Sequence, residues 1–225
     1  MTTAIILAAG KSERMGKDVD KAFLSLVDKP VVAWSLLAFE RCSSIDRIVL
    51  VVRKEQQLAA KAVCKMFGIS KLDKIVPGGQ RRQDSVAAGL AACDLDTRTV
   101  VVHDGARPLV TSDLVAEVVD AAKRYPAVAV GRPVADTVKV CAKGKGAIVA
   151  ETLSRERLWA VQTPQAFQMR EFRAAFRAVG KNEITDDCQA VELNGGTVRI
   201  MQSFKPNVKI TTVEDLQLAA ALLKK

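Results

Sequence analysis

Residues Ala4–Gly16 read AIILAAGKSERMG, an apolar run that breaks into small residues, one glycine and a charged cluster. Gly10-Lys11-Ser12 has the tail of a phosphate-binding P-loop, but Ile5 stands where that motif needs its first glycine. The dinucleotide-binding spacing fails as well, because Ser12 and Met15 occupy the positions of its second and third glycines. What remains is a buried strand feeding a loop of Ala8, Ala9 and Gly10, whose backbone N–H groups can approach a polyphosphate without side-chain obstruction.

Working outward, further short runs rich in Val and Ile predict buried strands at Thr3–Leu7, Arg47–Val52, Lys74–Val76, Thr99–His103 and Val128–Val130. Amphipathic segments between them predict helices at Val31–Arg41, Glu55–Phe67, Asp84–Cys93 and Ser112–Arg124, the last with Thr111 or Ser112 as its cap. This alternation predicts an α/β fold: a Rossmann-like, mainly parallel sheet with helices on both faces. Ligands of such sheets bind beyond the carboxyl ends of the strands. LAAGKSERMG, PGGQRRQDS and HDGARP, which follow the first, third and fourth strands, should therefore gather on one edge.

The second half has a different texture. Ala135–Thr152 (ADTVKVCAKGKGAIVAET) predicts two short strands around Gly144 and Gly146, a projecting β-arm with little apolar surface to bury by itself. LWAVQTPQAF, a helix near Arg170–Val179, NEITDDCQAVELNGG, a strand near Val198–Met201 and a last helix Val213–Leu223 follow. With no repeat or linker, residues 1–225 read as one domain carrying the arm at 135–152.

The chain has 225 residues and a formal charge of +9, from 34 Lys and Arg against 25 Asp and Glu. The basic residues are dispersed and aromatics make up only 4%, which disfavours a nucleic-acid stacking platform and points to phosphorylated small molecules. No apolar run approaches a membrane span and no basic segment precedes Ile5 as in a signal peptide. Cys42, Cys64, Cys93, Cys141 and Cys188 form no C-x-x-C pair, so the expectation is reduced, buried thiols in a cytoplasmic protein. One histidine, His103, argues against structural zinc.

Candidate site residues follow from these loops. Lys11, Arg14 and Lys21 add charge to the first loop, and Lys21 is anchored by the apolar AFLSL run, against the alternative of a solvated basic turn. Ser85, near a helix start after Gly78-Gly79, can read a base edge or simply begin a helix. Asp104 ends a buried strand, where a carboxylate can hold a metal, a ribose hydroxyl or nothing. His103 reads as strand packing. Arg107, Arg155, Arg157 and Lys209 are candidates for a second, anionic substrate or are surface charges.

LAAGKSERMG with Lys21, GGQRRQDSVAAGL, VHDGARP, DTVK, LWAVQTPQAF, ITDD and VKITTVEDL stand in the order seen in one family. From Thr3 to Leu223 the chain resembles the 2-C-methyl-D-erythritol 4-phosphate cytidylyltransferases of the non-mevalonate isoprenoid pathway. That resemblance implies a nucleotidyltransferase (GT-A type) sheet and transfer of CMP from CTP to the sugar-alcohol phosphate. By the same resemblance Ala8, Ala9, Gly10, Gly79 and Ser85 hold CTP, and Arg14 and Lys21 stabilise the transferring phosphate. Arg155 and Lys209 position the acceptor, with Asp104, Arg107, Thr137 and Thr163 around it. Mg2+ bridges the triphosphate, with Asp104 a possible ligand, and the arm joins a homodimer. Ser12, Glu13 and Gln80 depart from the family pattern, with CTP affinity and base selectivity the properties expected to respond. A ribitol 5-phosphate cytidylyltransferase and a silent nucleotide-binding regulator are the alternatives. Phosphoryl chemistry between ionised groups needs positioning and charge, which suits a Lys/Arg-rich site without a nucleophile–base pair.

Overall fold

The computed structural model describes residues 1–10, 20–142, 144, 147–180 and 182–224. Lys11, Ser12, Glu13, Arg14 and Gly146 lie outside the described residues.

Seven strands form one sheet in the order β11-β7-β10-β6-β1-β4-β5. These are β1 (Thr2–Ala8), β4 (Arg47–Val52), β5 (Leu72–Pro77), β6 (Thr99–Asp104), β7 (Ala127–Pro133), β10 (Trp159–Gln168) and β11 (Val198–Gln202). All neighbours run parallel except β10, which lies antiparallel between β6 and β7. The connections are α1 (Val31–Arg41), α2 (Gln57–Met66), α3 (Arg82–Ala92), α4 (Ser112–Ala122), α5 (Met169–Val179) and α6 (Asp187–Leu193), and α7 (Val213–Leu223) closes the chain. A two-residue ladder, β2 (Ser25–Leu26) with β3 (Lys29–Pro30), precedes α1.

Strand periodicity sorts the core into two layers. Ala4, Ile6 and Ala8 of β1 and Ile48, Leu50 and Val52 of β4 face Val32, Leu36 and Phe39 of α1 and Val115 and Val118 of α4. Ile5 and Leu7, with Val49 and Val51, face Val86 and Leu90 of α3 and Phe172 of α5. Both faces of the central strands are covered, which is why they read as continuous apolar runs. Thr111 is the α4 cap, its side chain accepting from Leu114 N–H.

The chain steps from β1 to β4 to β5, then returns to place β6 on the other side of β1. That reversal is the switch point where an open α/β sheet leaves a crevice beyond its strand ends. The arm is an antiparallel ladder of β8 (Lys139–Cys141) and β9 (Val149–Thr152), every residue of which is exposed. The expectation of buried cysteines needs one correction: Cys42, Cys64, Cys93 and Cys188 are buried, but Cys141 sits on the exposed arm. Burial pushes the Cys64 and Cys93 thiols up to about 11.

Candidate active site

A cleft of about 670 Å³ opens at the switch point, lined by the ends of β1 and β6, the Gly78–Arg82 turn and Lys209. Of the residues expected there, Ala8, Ala9, Gly10, Lys21, Gly79, Ser85, Asp104 and Lys209 all line it. Among the described residues that line it, six side chains are basic (Lys21, Arg53, Lys54, Arg81, Arg82, Lys209) and two are acidic (Glu55, Asp104), a balance that suits an anion.

Glycine makes its wall. A Cβ on Gly78 would stand 2.4 Å from Ala9 Cβ and 2.7 Å from Ser85 Oγ, so the two loops touch with no room for a methyl group. A Cβ on Gly10 would meet nothing within 4 Å among the described residues, and Gly10 lines the cleft. Ser85 does more than edge the pocket. Its Oγ accepts from Gly79 N–H at 3.1 Å and donates to Arg81 O at 3.4 Å, tying the glycine turn to the first turn of α3. Ser85 lies inside that helix, which begins at Arg82, two residues earlier than expected. Gln80 lines the cleft beside it.

Lys21 opens a 3-10 turn, Lys21–Phe23, capped by Asp20, whose Oδ1 accepts from Ala22 N–H at 3.1 Å. Asp20 Oδ2 meets Arg53 Nη2 at 3.0 Å, and the following Ala22 and Leu26 are buried. Sequence reading had the apolar anchor but missed this ion pair, which joins the first loop to the end of β4.

At the other end, Asp104 gathers cations. Its Oδ1 faces Arg82 Nε at 3.3 Å, its Oδ2 meets Lys209 Nζ at 2.8 Å, and Arg107 Nε lies 3.7 Å from Oδ2. Burial alone would raise this carboxyl, but the charges of Arg82, Lys209 and Arg107 outweigh it and hold Asp104 far below the usual carboxylate range. Lys209 arrives on the segment before α7, which is pinned by Ile210 N–H to Ala106 O at 2.8 Å and Asn207 Nδ2 to Thr163 O at 2.8 Å.

Thr163 and Arg107 stand behind Asp104 rather than in the cleft wall. Thr163, buried in the bulged part of β10, accepts from Asp104 N–H at 3.0 Å and lies 3.2 Å from His103 Nδ1. Arg107 Nη1 donates to Asn207 O at 2.8 Å. His103 packs in the strand as expected, but its ring also bridges Thr163 to Arg107 O, 3.3 Å from Nε2. Burial lowers its pKa to about 3, so it is neutral. Thr137, Arg155 and Arg157 are exposed at the arm and its base, and none of them lines their own chain's cleft. Arg155 donates instead to Ala135 O. Arg82 and Asp187 were not singled out from sequence. They meet across a separation of 105 residues, at 2.8 Å between Nη2 and Oδ2, a pairing no local pattern displays.

A divalent cation does not fit Asp104 as a ligand: both of its oxygens face cations. No group of three or more His, Cys, Asp or Glu suited to a metal occurs among the described residues.

A glycine-walled, basic cleft at the switch point of a mostly parallel sheet is the frame of a nucleotidyltransferase. The 2-C-methyl-D-erythritol 4-phosphate cytidylyltransferase family matches residues 2–225. The chain belongs to this family. Among its curated members, that of Pelotomaculum thermopropionicum is 45% identical over 98% of this chain and 93% of its own length. That of Caldanaerobacter subterraneus is 40% identical over 99% of both. The crystal structure of the family's enzyme from Thermus thermophilus is 31% identical, covers all of both chains and superposes with a TM-score of 0.81. The 4-diphosphocytidyl-2C-methyl-D-erythritol synthase of Anaerococcus prevotii is 29% identical, covers all of this chain and 98% of its own, and superposes with a TM-score of 0.85.

Proposed function

We propose that the chain transfers CMP from CTP to 2-C-methyl-D-erythritol 4-phosphate, giving 4-diphosphocytidyl-2-C-methyl-D-erythritol and pyrophosphate. The observation that carries this reading is the pairing, in one cleft, of a wall of small residues with a lysine held on a carboxylate. The cleft's glycine-walled half, Ala8–Gly10 with Gly78 and Gly79, suits a nucleoside triphosphate, and its other half presents Lys209 on the Asp104 carboxylate.

An acceptor phosphate oxygen attacks the α-phosphorus of CTP, and the bond from that phosphorus to the β-phosphate bridge oxygen breaks. The electron pair leaves with pyrophosphate. The attacking oxygen is ionised at neutral pH, so no general base is required. Lys21, and Arg14 outside the described residues, offset charge on the α-phosphate. Lys209, held from behind by Asp104, receives the acceptor phosphate. The described residues provide no metal site of their own, so a divalent cation such as Mg2+ would have to arrive with CTP, where it would supply charge neutralisation. The arm leaves Val140, Ile148 and Val149 exposed, which supports a homodimer in which Thr137 and Arg155 reach the partner's acceptor site. Unpaired cysteines support a cytoplasmic location.

The test is pyrophosphate release with Mg2+ and each of CTP, UTP, ATP and GTP, against methylerythritol phosphate and ribitol phosphate. CTP with methylerythritol phosphate is expected to be fastest. Faster turnover with ribitol phosphate would move the acceptor assignment, and no release from any pair would end it.

A further inference from the structure

Asp187 takes no part in the chemistry above and does not line the cleft, yet it is an expensive group to place where it stands. Its residue is 0% exposed, and its Oδ1 has no hydrogen-bond partner among the described residues. Its other oxygen, Oδ2, meets Arg82 Nη2 at 2.8 Å. A buried carboxylate satisfied on one side only is a poor device for stability. Nor is it needed to cap α6, because Asp186 does that, accepting from Gln189 N–H at 3.0 Å through Oδ1.

Its evident effect is on Arg82. That guanidinium is gripped on two edges, by Asp187 at Nη2 and by Asp104 at Nε. A planar fork so held has one orientation, which a point-charge ammonium could not reproduce. Arg82 in turn occupies Asp104 Oδ1 and leaves Oδ2 to the Lys209 ammonium. Asp187, Arg82, Asp104 and Lys209 thus form a chain of alternating charge. It draws on α6, α3, β6 and the segment before α7, and it ends in the acceptor half of the cleft.

We propose that Asp187 is a positioning residue for nucleotidyl transfer, acting through Arg82 and Asp104 to fix where the Lys209 ammonium stands. This rests on the transfer reaction proposed above, and its test is arranged to fail separately.

Pyrophosphate release by the full chain is measured for Asp187→Asn, Arg82→Gln and the double variant, with CTP affinity by calorimetry and melting temperature alongside. Asp187→Asn keeps the shape and removes the charge. Its kcat/KM for the acceptor is expected to fall at least about tenfold while CTP affinity stays within about twofold. Because the two residues act in series, the double variant should be no worse than Arg82→Gln alone. Arg82→Lys, which keeps the charge but not the fork, should lose about as much as Arg82→Gln, and it remains informative if Asp187→Asn does not fold. Single variants within twofold of wild type, losses that multiply in the double variant, or a fully active Arg82→Lys would each overturn the proposal. An inactive wild type would instead strike at the reaction assignment.

Discussion

His103 shows how a single residue's chemistry is fixed by what surrounds it. The Arg107 carbonyl can only accept, so Nε2 carries the proton. Nδ1 then accepts a hydrogen bond from the Thr163 hydroxyl, and Thr163 Oγ1 in turn accepts from Asp104 N–H. The ring is therefore neutral, and burial lowers its pKa to about 3. The unfolded chain binds a proton below about 6.5 that the folded chain refuses, so this group's contribution to stability falls as pH drops from 6.5 towards 3. Below about pH 6.5 the rate approaches about 1.4 kcal/mol per pH unit. Urea unfolding of wild type and His103→Gln should show the stability gap between them narrowing by roughly 2 kcal/mol between pH 7 and pH 5. A constant gap would mean the histidine titrates normally. At this scale the sequence disclosed residues whose type and position speak for themselves: the small Ala8–Gly10 loop, and Asp104 at a strand end. It did not disclose Arg82, Asp187 or the Asp20–Arg53 pair, because their meaning lies in partners distant along the chain.

Elements buried on both faces were the legible ones. β1, β4 and β6 have continuous apolar centres (Ala4–Ala8, Ile48–Val52, Val100–Val102) because helices cover them above and below, whereas β10 was missed as a strand because Pro164 interrupts its run. Its antiparallel direction is set by the chain returning between β6 and β7, a topological fact with no local signature. α6 is seven residues long, with Asp186 as its cap and Asp187 as its first residue, too short to show helical periodicity. The seating of α3 on β1 depends on Gly89, where an added Cβ would stand 2.5 Å from the fully buried Ile5 Cγ2. Alanine would gain about 1 kcal/mol of helix propensity, but overpacking a closed core costs about 1–3 kcal/mol. Gly89→Ala should therefore destabilise the protein in chemical denaturation. It should also lower activity, because α3 carries Arg82 and Ser85. A more stable, fully active variant would show that the helix has slack against the sheet.

Across the whole molecule the +9 charge suits substrates that carry several phosphates, and among the described residues six basic side chains line the cleft. Thr137 and Arg155 remain outside that cleft in their own chain, which gives the proposed dimer a sharp test. Mixing Lys21→Ala with Arg155→Ala under subunit exchange creates heterodimers with one intact site if Arg155 acts across the interface. Equal amounts should then recover about a quarter of wild-type activity, and no recovery after confirmed exchange would confine Arg155 to its own subunit. The central claim is that one cleft is divided, with CTP on the glycine wall and the acceptor on Lys209. The most direct measurement is calorimetric titration of CTP into Lys209→Ala, paired with the variant's KM for methylerythritol phosphate. The account predicts CTP affinity within about twofold of wild type and an acceptor KM raised by at least about tenfold. A CTP affinity weakened as much as acceptor use would contradict it.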